Sequence, residues 1–425
     1  MRPTGRLHIG HFFGALENWI KLQNDPQYEC FFFVADWHAL TSDYADTSQV
    51  AQNSIEIATD WLASGLDPAK CTMFLQSSVP EHAELQLLLS MVTPLGWLER
   101  VPTYKEAIDN VKGKDLHTYG FLGYPVLQTA DIVIYGEPNS NLAVPVGEDQ
   151  AVHVELSREI VRAFNSYYGL RIDDGLYRNV ENTKALRKLR EVSNLLETHP
   201  ELGGSTWVEL SDVEAFWRSV ARRVIAEIGF QNFLDKLGAD IAKFFKADAV
   251  LVEPQAVLTQ TPRIPGTDGR KMSKSYGNFI SLGESDESIR AKAKAMITDP
   301  ARKRRTDPGN PDVCPVYDWH KLFSPPETLK WSAEGCRSAG IGCIECKMAM
   351  ADNLIKWIAP VRARREEYAA HPGNVLQILD DGSAKAREVA QKTMARVREA
   401  VFHWKEKRSE VAGQLSSAKN VKAGE

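Results

Sequence analysis

Hydrophobic positions change period along the chain in a way that separates strands from helices. Glu29 to Ala35 (ECFFFVA) is a short, unbroken apolar run, the pattern of a strand buried on both faces of a parallel sheet. Thr72 to Gln76 repeats it. Between them, Val50, Ile55, Ile57, Trp61 and Leu62 give residues 48–65 an apolar helical face, and Gly65 follows as a stop. A second helix is predicted over Glu84 to Val92. Gly123-Tyr124-Pro125-Val126-Leu127-Gln128-Thr129-Ala130-Asp131 opens another, running into the apolar Ile132-Val133-Ile134. Leu142 to Val146 reads as a strand feeding Gly147-Glu148-Asp149-Gln150, and a helix continues through Val154, Leu156 and Ile160. Strands alternating with helices predict a doubly wound parallel sheet, an α/β fold.

The pattern shifts between about 170 and 249. Lys and Arg rise at 184–190, and Trp217, Val220, Val224 and Ile228 fall at helical spacing, which predicts a helical insertion. A strand and loop follow, and from about 286 the chain becomes largely helical. Its last long helix, near 384–411, carries Val389, Met394, Val397, Val401 and Trp404 on one side. The expected division is an α/β part at 1–169, the insertion at 170–249, a return to the α/β part at 250–285, and a helical region at 286–425.

Composition narrows the function classes. A chain of 425 residues, 43% hydrophobic and 25% charged, is an ordinary globular chain with length for two or three domains. A net charge of −5 excludes a uniformly basic nucleic-acid coat. An RNA partner would be met by local patches, of which Arg302-Lys303-Arg304-Arg305 is the densest. The N-terminus has no apolar leader, and Cys30 to Ala35 is too short to span a bilayer. A cytoplasmic location without membrane contact is therefore expected, with the six cysteines as thiols or ligands and not disulfides.

Two stretches carry candidate chemistry. Arg2-Pro3-Thr4-Gly5 is turn-forming, and Leu7 to Phe13 then opens a helix with His8-Ile9-Gly10-His11 at the junction. A helix N-terminus presents free backbone N–H groups and a partial positive charge, which suits phosphate. Gly10 permits close approach, and both histidines can donate a ring N–H without a permanent charge. About 260 residues later, Gly266-Thr267-Asp268-Gly269-Arg270 leads into Lys271-Met272-Ser273-Lys274-Ser275. This glycine-punctuated loop has two lysines and two hydroxyls, suited to wrapping a triphosphate. For either segment alone, packing histidines or a solvated basic turn is the plainer reading. Asp36-Trp37-His38 ends the first strand, where open α/β sheets place binding residues.

In this order the two segments resemble the signature motifs of class I aminoacyl-tRNA synthetases. Residues 1–165 and 250–410 are similar to bacterial tryptophan–tRNA ligases of the longer variety. Within them, Val144-Pro145-Val146-Gly147-Glu148-Asp149-Gln150 is the most discriminating run, because the sister tyrosine enzymes usually have serine in place of that glutamate. The resemblance implies a Rossmann-type catalytic domain, ATP with Mg2+, L-tryptophan and tRNA(Trp) as substrates, and a homodimer. It also implies ester formation on the 2′-hydroxyl of the terminal adenosine, and an anticodon-binding helical tail. It assigns ATP contacts to Arg2, Pro3, Thr4, Gly10, His11, Gly147, Glu148 and Asp149. The loop residues Lys271, Met272, Ser273, Lys274 and Ser275 join them, with His8, His11, Lys271, Ser273 and Lys274 as the catalytic set. Asp131 suits tryptophan on chemical grounds: an indole has one N–H donor and no acceptor, so a buried carboxylate reads it economically. A carboxylate also accepts from a phenol, so pocket shape must complete the choice. By resemblance that pocket involves Tyr124, Gln128, Val144, Val146, Gln150 and His38. A helix cap or surface charge is the alternative for Asp131. The chain departs from the family at Gln128, where some members have methionine. It also departs at its start, where Met1 abuts the turn and the usual first strand is missing.

Four of the six cysteines, Cys314, Cys336, Cys343 and Cys346, fall within 33 residues in the spacing C-x21-C-x6-C-x2-C. Cys30 starts the first strand-like run and Cys71 lies just before the second, so both read as core thiols. The tail four lie around turns at Pro315, Gly340 and Gly342, and a Cys-x2-Cys pair suggests a metal knuckle or redox pair. Zinc and a [4Fe–4S] cluster both accept four thiolates. Some long tryptophan–tRNA ligases carry a [4Fe–4S] cluster at nearly this spacing, one residue longer in the first interval, so the resemblance favours the cluster over Zn2+. Two rival functions share parts of the pattern: a nucleotidyltransferase with the histidine–glycine–histidine turn, and a non-catalytic tRNA-binding relative.

Overall fold

In chain order, a helical run α1 is built from Ile9–His11, a wider π turn Phe12–Leu16, and Glu17–Gln23. Strand β1 (Cys30–Val34), helices α2 (Asp36–Asp43) and α3 (Val50–Ser64), and strand β2 (Cys71–Leu75) follow. Then come α4 (Glu81–Ser90), α5 (Tyr124–Val133), β3 (Leu142–Val146), α6 (Ala151–Tyr168), β4 (Leu170–Ile172) and α7 (Phe230–Leu237). Strands β5 (Phe245–Ala247) and β6 (Pro254–Leu258) precede the helices α8 (Asp286–Ala295), α9 (Pro315–Phe323), α10 (Pro326–Arg337), α11 (Cys343–Ala370) and α12 (Pro372–Phe402). This computed structural model describes every residue except 111–115, 148–149, 174, 179–217, 226–227, 259–263, 406, 410 and 413–425. The basic stretch at 184–190 and Trp217 therefore lie outside the described residues.

The architecture is α/β and Rossmann-like, with a helical C-terminal region. Strands β1 and β2 pair in parallel from Cys30↔Cys71 to Val34↔Leu75, joined by the long crossover through α2 and α3. Strand β3 pairs with β6, and β4 pairs antiparallel with β5. Local chemistry sets the ends. Gly65 closes α3 in the left-handed region at φ 115°, and Ser285 caps α8 by accepting from the Ser288 N–H. Prolines open α5, α9 and α10 in the first turn, where a missing N–H costs nothing. The last long helix starts twelve residues earlier than its apolar stripe predicts, at Pro372 rather than 384. It ends at Phe402, before His403 takes φ 52°.

The chain forms two units. One comprises Met1–Val79 with Leu258–Ala386; the other comprises Pro80–Val257 with Arg387–Glu425. In the first, Leu7, Ile9, Leu16, Ile57, Trp61 and Met73 are buried in one core with Ile280, Leu282, Trp319, Met350, Leu354 and Ile358. Burying a side chain of this size contributes about 1.5–3 kcal/mol, so the helical C-terminal segment and the strands stabilise one another. Cys30 and Cys71 face each other in register and are buried. Helix α12 crosses β2 at such close range that a Cβ on Gly382 would lie 1.8 Å from the Met73 carbonyl oxygen. Next to it, the Leu75 N–H donates to Ser383 Oγ at 3.3 Å. At the start of the chain, the Ala35 N–H donates to the Met1 carbonyl at 2.8 Å, which sets Met1 beside the end of β1. In the second unit, α4, α5 and α6 pack side by side, and a smaller core gathers Leu170, Ile172, Val224, Phe233, Leu237 and Phe245. Among the described residues, no helix is long and apolar enough to cross a membrane.

Candidate active site

The two motif segments meet within the first unit. The chain beyond the lysine loop runs antiparallel to the first motif: Ile9 N–H donates to Ile280 O at 3.1 Å, and Leu282 N–H to Leu7 O at 3.0 Å. This pairing sets the loop over the turn. Lys274 Nζ donates to the carbonyl oxygens of Thr4 at 2.8 Å and Gly5 at 2.9 Å. Gly5 makes that turn at φ 89°, which a side chain would strain. At Gly10 a Cβ would stand 2.9 Å from His8 Nδ1 and 3.3 Å from Met272 Sδ, so the loop packs directly on the motif glycine. Met272 is buried there, whereas Lys271 stays exposed. The side chain of Ser275 lies outside the described residues.

Both motif histidines are neutral at physiological pH. Burial, reinforced by the neighbouring His11 ring and the Lys274 charge, pulls His8 down to about 3; burial and Lys274 pull His11 to about 4. The rings lie 3.7 Å apart, centroid to centroid. The His8 backbone N–H donates to His11 Nδ1 at 3.2 Å, so the proton of the neutral His11 ring sits on Nε2. His8 Nδ1 is buried without a hydrogen-bond partner among the described residues, an unsatisfied group of the kind a polar ligand would complete. Arg2 holds Asp43 at 3.0 Å and Pro3 is buried beneath it.

Residues that the sequence did not single out hold this arrangement. Asp60 is buried in α3, accepts from the Leu7 N–H at 2.5 Å, and accepts from Arg365 Nε at 2.6 Å. Arg365 also grips Glu56, whose other cation is Arg6 at 3.0 Å. Asn278, also buried, accepts from the Ser273 N–H at 2.7 Å and donates to Asp268 at 2.7 Å and to Lys271 O at 3.1 Å. It cross-braces the loop from inside, and Trp319 Nε1 anchors the flank by donating to Pro265 O at 2.9 Å. The spacing of an asparagine three residues after Ser275, before an apolar run, was the available signal.

The other candidate residues divide between the units. His38 is half-buried in α2 of the first unit, with its N–H on Gln76 Oε1 at 3.3 Å. In the second unit, Asp131 is buried in the last turn of α5, which removes the N-terminal cap reading. Its Oδ1 lies 2.5 Å from His82 Nδ1, and His82 Nε2 lies 2.6 Å from Tyr135 Oη. Tyr124 Oη lies 3.2 Å from His153 Nε2. Gln128, Val144, Val146, Gly147 and Gln150 are half-buried in the same unit. Glu148 and Asp149 lie outside the described residues.

The tail cysteines converge from separate elements. Cys314 precedes α9, Cys336 ends α10, and Cys343 and Cys346 occupy the first turn of α11. All four line one cavity of about 20 Å³ with Thr298, Asp299, Arg302, Val316 and Ile341. As the side chains stand, no three His, Cys, Asp or Glu groups among the described residues form a set that could hold a metal ion. Burial and the other three thiols push Cys346 up to about 12, and burial raises Cys336. Arg302 corrects the expectation of a solvent-facing basic run. It is buried, with one nitrogen 3.8 Å from Cys336 Sγ and another donating to the carbonyl oxygens of Ile341 at 2.6 Å and Arg305 at 3.1 Å, so backbone carbonyls satisfy a guanidinium that the chain turns inward. Lys303, Arg304 and Arg305 are exposed.

Comparison with known proteins places this geometry in context. The family model described as tRNA synthetases class I (W and Y) matches residues 1–189 and 231–359. A tryptophan–tRNA ligase of Ralstonia nicotianae is 47% identical over 403 residues, covering 94% of this chain and 96% of its own. That of Thermotoga maritima is 42% identical over 402 residues, covering 94% and 97%. Among solved structures, tryptophanyl-tRNA synthetase from Campylobacter jejuni, complexed with ADP and tryptophan, superposes with a TM-score of 0.68 at 27% identity. It covers 94% of this chain and 98% of that one.

Proposed function

The chain belongs to the class I tRNA synthetases for tryptophan and tyrosine, and we propose from that premise that it attaches L-tryptophan to tRNA(Trp) in the cytoplasm, as a homodimer. The carboxylate of tryptophan attacks the α-phosphate of ATP, bound with Mg2+; the bond to the β-phosphate breaks and pyrophosphate leaves. The 2′-hydroxyl of the terminal adenosine then takes the aminoacyl group and releases AMP. Positioning and charge stabilisation supply the rate, since no covalent protein intermediate is needed. The observation that carries this reading is the clasp of Lys274 on Thr4 and Gly5, which joins segments 270 residues apart over a helix N-terminus. In the reaction Lys271, Ser273 and Lys274 take the leaving pyrophosphate, with Met272 and Ser275 completing the loop. Neutral His8 and His11 donate ring protons to phosphate oxygens, Gly10 lets the nucleotide approach, and Arg2, Pro3 and Thr4 form the wall of the turn. Gly147, Glu148 and Asp149 receive the ribose and adenine. Asp131 accepts from the indole N–H, with Tyr124, Gln128, Val144, Val146 and Gln150 shaping its surroundings in the same unit; His38 keeps the tryptophan contact that the resemblance gives it. The segment 170–249 is a structural or tRNA-facing elaboration without editing, and 286–425 meets the tRNA anticodon region. Nothing in the geometry favours a nucleotidyltransferase. Exchange of labelled pyrophosphate into ATP that depends on tryptophan tests the reading; exchange without that dependence, or none at all, would overturn it.

The tail thiols form the second part of the proposal. Cys314, Cys336, Cys343 and Cys346 bring four sulfur atoms to one cavity, with an N–H of Arg302 on one of them; it is their residue type and convergence, not their present arrangement, that suits a thiolate-held centre. A [4Fe–4S] cluster is preferred to Zn2+. Its part would be structural, tying α9, α10 and α11 together. Protein purified without oxygen should be brown, absorb near 400 nm and hold about four irons per chain. Colourless protein with one zinc per chain would decide for the alternative, and metal-free protein with four free tail thiols would overturn the metal centre altogether.

A further inference from the structure

We propose that His82 and Tyr135 position the Asp131 carboxylate and so determine how strongly the amino-acid site demands an N–H donor. The inference rests on the reading of Asp131 as the indole acceptor. It arises from three side chains that stand in line inside the second unit. His82 occupies the first turn of α4 and is fully buried; Asp131 lies opposite it in α5, 3% exposed. Tyr135 follows Asp131 by four residues, just past the end of that helix, and reaches the far side of the same imidazole. The distances are 2.5 Å from Asp131 Oδ1 to His82 Nδ1 and 2.6 Å from His82 Nε2 to Tyr135 Oη.

The direction of the protons follows from chemistry. The Tyr135 phenol is held protonated by burial and by the carboxylates of Asp131 and Glu81 nearby, so its O–H donates to Nε2. A ring that accepts at Nε2 in its neutral form carries its one proton on Nδ1, which then donates to Oδ1 of Asp131. The bond from Nδ1 thus fixes the plane of the carboxylate inside a buried site. A carboxylate offers about four lone-pair positions, so the bond from His82 and a bond from an indole N–H are compatible. The start of α4 is itself fixed. Glu81, the residue before His82, is gripped by Arg387 Nε at 3.0 and 3.2 Å and by Gln391 at 3.1 Å, all within this unit. These contacts keep the imidazole from rotating away. The role is positional: neither His82 nor Tyr135 needs to touch the substrate.

The test uses the full chain and two substrates of nearly equal shape. L-tryptophan has the indole N–H; L-3-benzothienylalanine has sulfur there and donates nothing. The readout is the ratio of kcat/KM for the two in pyrophosphate exchange. A site that aims a buried acceptor should prefer tryptophan, and His82→Leu should reduce that preference about tenfold or more, mainly through KM for tryptophan. His82→Asn, whose amide nitrogen falls near Nδ1, should keep the preference within about threefold. Tyr135→Phe removes one hydroxyl with little change of shape, and should lower the ratio by about three- to tenfold. A merely structural role would weaken both substrates together and leave the ratio unchanged in His82→Leu, which would overturn the proposal. If His82→Leu does not fold, an unchanged ratio in Tyr135→Phe overturns it as well, as does an Asn variant that loses as much preference as Leu. Asp131→Ala separates the two levels. If it keeps the preference, the reading of Asp131 fails and the inference with it; if it abolishes the preference while the His82 and Tyr135 variants keep it, only the inference fails.

Discussion

Lys274→Met removes an ammonium and keeps a stem of similar length, so it isolates what the charge does. In the structure Nζ spends its hydrogen bonds on the carbonyl oxygens of Thr4 and Gly5, at 2.8 and 2.9 Å. Burial holds its pKa below the ordinary 10.5, with the Asp60 carboxylate opposing, so the ammonium gives up a proton more readily than that of a surface lysine. Two effects compete in the variant. A donor aimed at the developing charge of the leaving pyrophosphate is worth about 3–4 kcal/mol, or about 10²–10³ in rate. Against this, the resting bonds to Thr4 and Gly5 must break before the lysine reaches phosphate, and each charge-assisted bond is worth about 1.5–3 kcal/mol. Their loss relieves the ground state and appears in the KM for ATP, not in kcat. The expected outcome is a fall of about 10²-fold or more in kcat for tryptophan-dependent exchange. The KM for ATP should change by less, and tryptophan affinity should stay within about twofold. The assay is pyrophosphate exchange at saturating and limiting ATP, beside equilibrium binding of tryptophan. Equal losses in exchange and in tryptophan affinity would refute the assigned role, and so would a kcat within about threefold of the parent.

Acid should destabilise the protein through the motif histidines. Unfolded histidines take up protons near 6.5, whereas folded His8 and His11 resist until about 3 and 4, so stability present above 6.5 is lost as the pH falls through that window. A shallower fall in melting temperature between pH 7 and 5 is expected for His8→Asn, and an unchanged slope would count against the burial argument. Gly382→Ala forces a Cβ to within 1.8 Å of the Met73 carbonyl and should cost about 1–3 kcal/mol by denaturant unfolding. Gly373→Ala, in open space on the same helix, should be neutral or stabilising by up to about 1 kcal/mol. Charge reversal at the exposed Lys303 and Arg304 should flatten the salt dependence of tRNA binding; reversal at buried Arg302 should instead lower stability.

The sequence was most legible where one segment carries its own pattern. The unbroken apolar run before Ala35 predicts β1 because a strand covered on both faces needs no polar alternation. The α3 helix was readable from its apolar spacing and its glycine stop. What stayed hidden was the polar chemistry inside. Asp60 sits on α3 among Ala58, Trp61 and Leu62, yet a lone carboxylate on an amphipathic helix reads as solvated surface. Its cation lies 305 residues away, at Arg365. His82 and Tyr135 are hidden in the same way, 49 and 53 residues from the partners they meet. The basic run at Arg302 misled because charge density along a chain does not say which member turns inward. In this case the carbonyl of Ile341 takes its N–H, and it is remote in sequence.

Helix α11 has the four-thiol site at one end and the support of the first motif at the other. Cys343 and Cys346 lie in its first turn; Arg365, nineteen residues beyond Cys346, grips the Asp60 that holds Leu7. At 1.5 Å per residue that span is about 28 Å, and the rod is clamped between by Lys347 on the Lys294 carbonyl and Arg362 on the Glu284 carbonyl. A lever of this length magnifies small errors. A tilt of about 5° about the thiol end moves the Arg365 end by about 2.4 Å, more than the roughly 1 Å misplacement that already costs about 10²-fold in rate. Slack at the thiol end would therefore reach Asp60 and Leu7 unless the clamps at Lys347 and Arg362 absorb it, which gives those two side-chain-to-carbonyl bonds a bracing task along the rod.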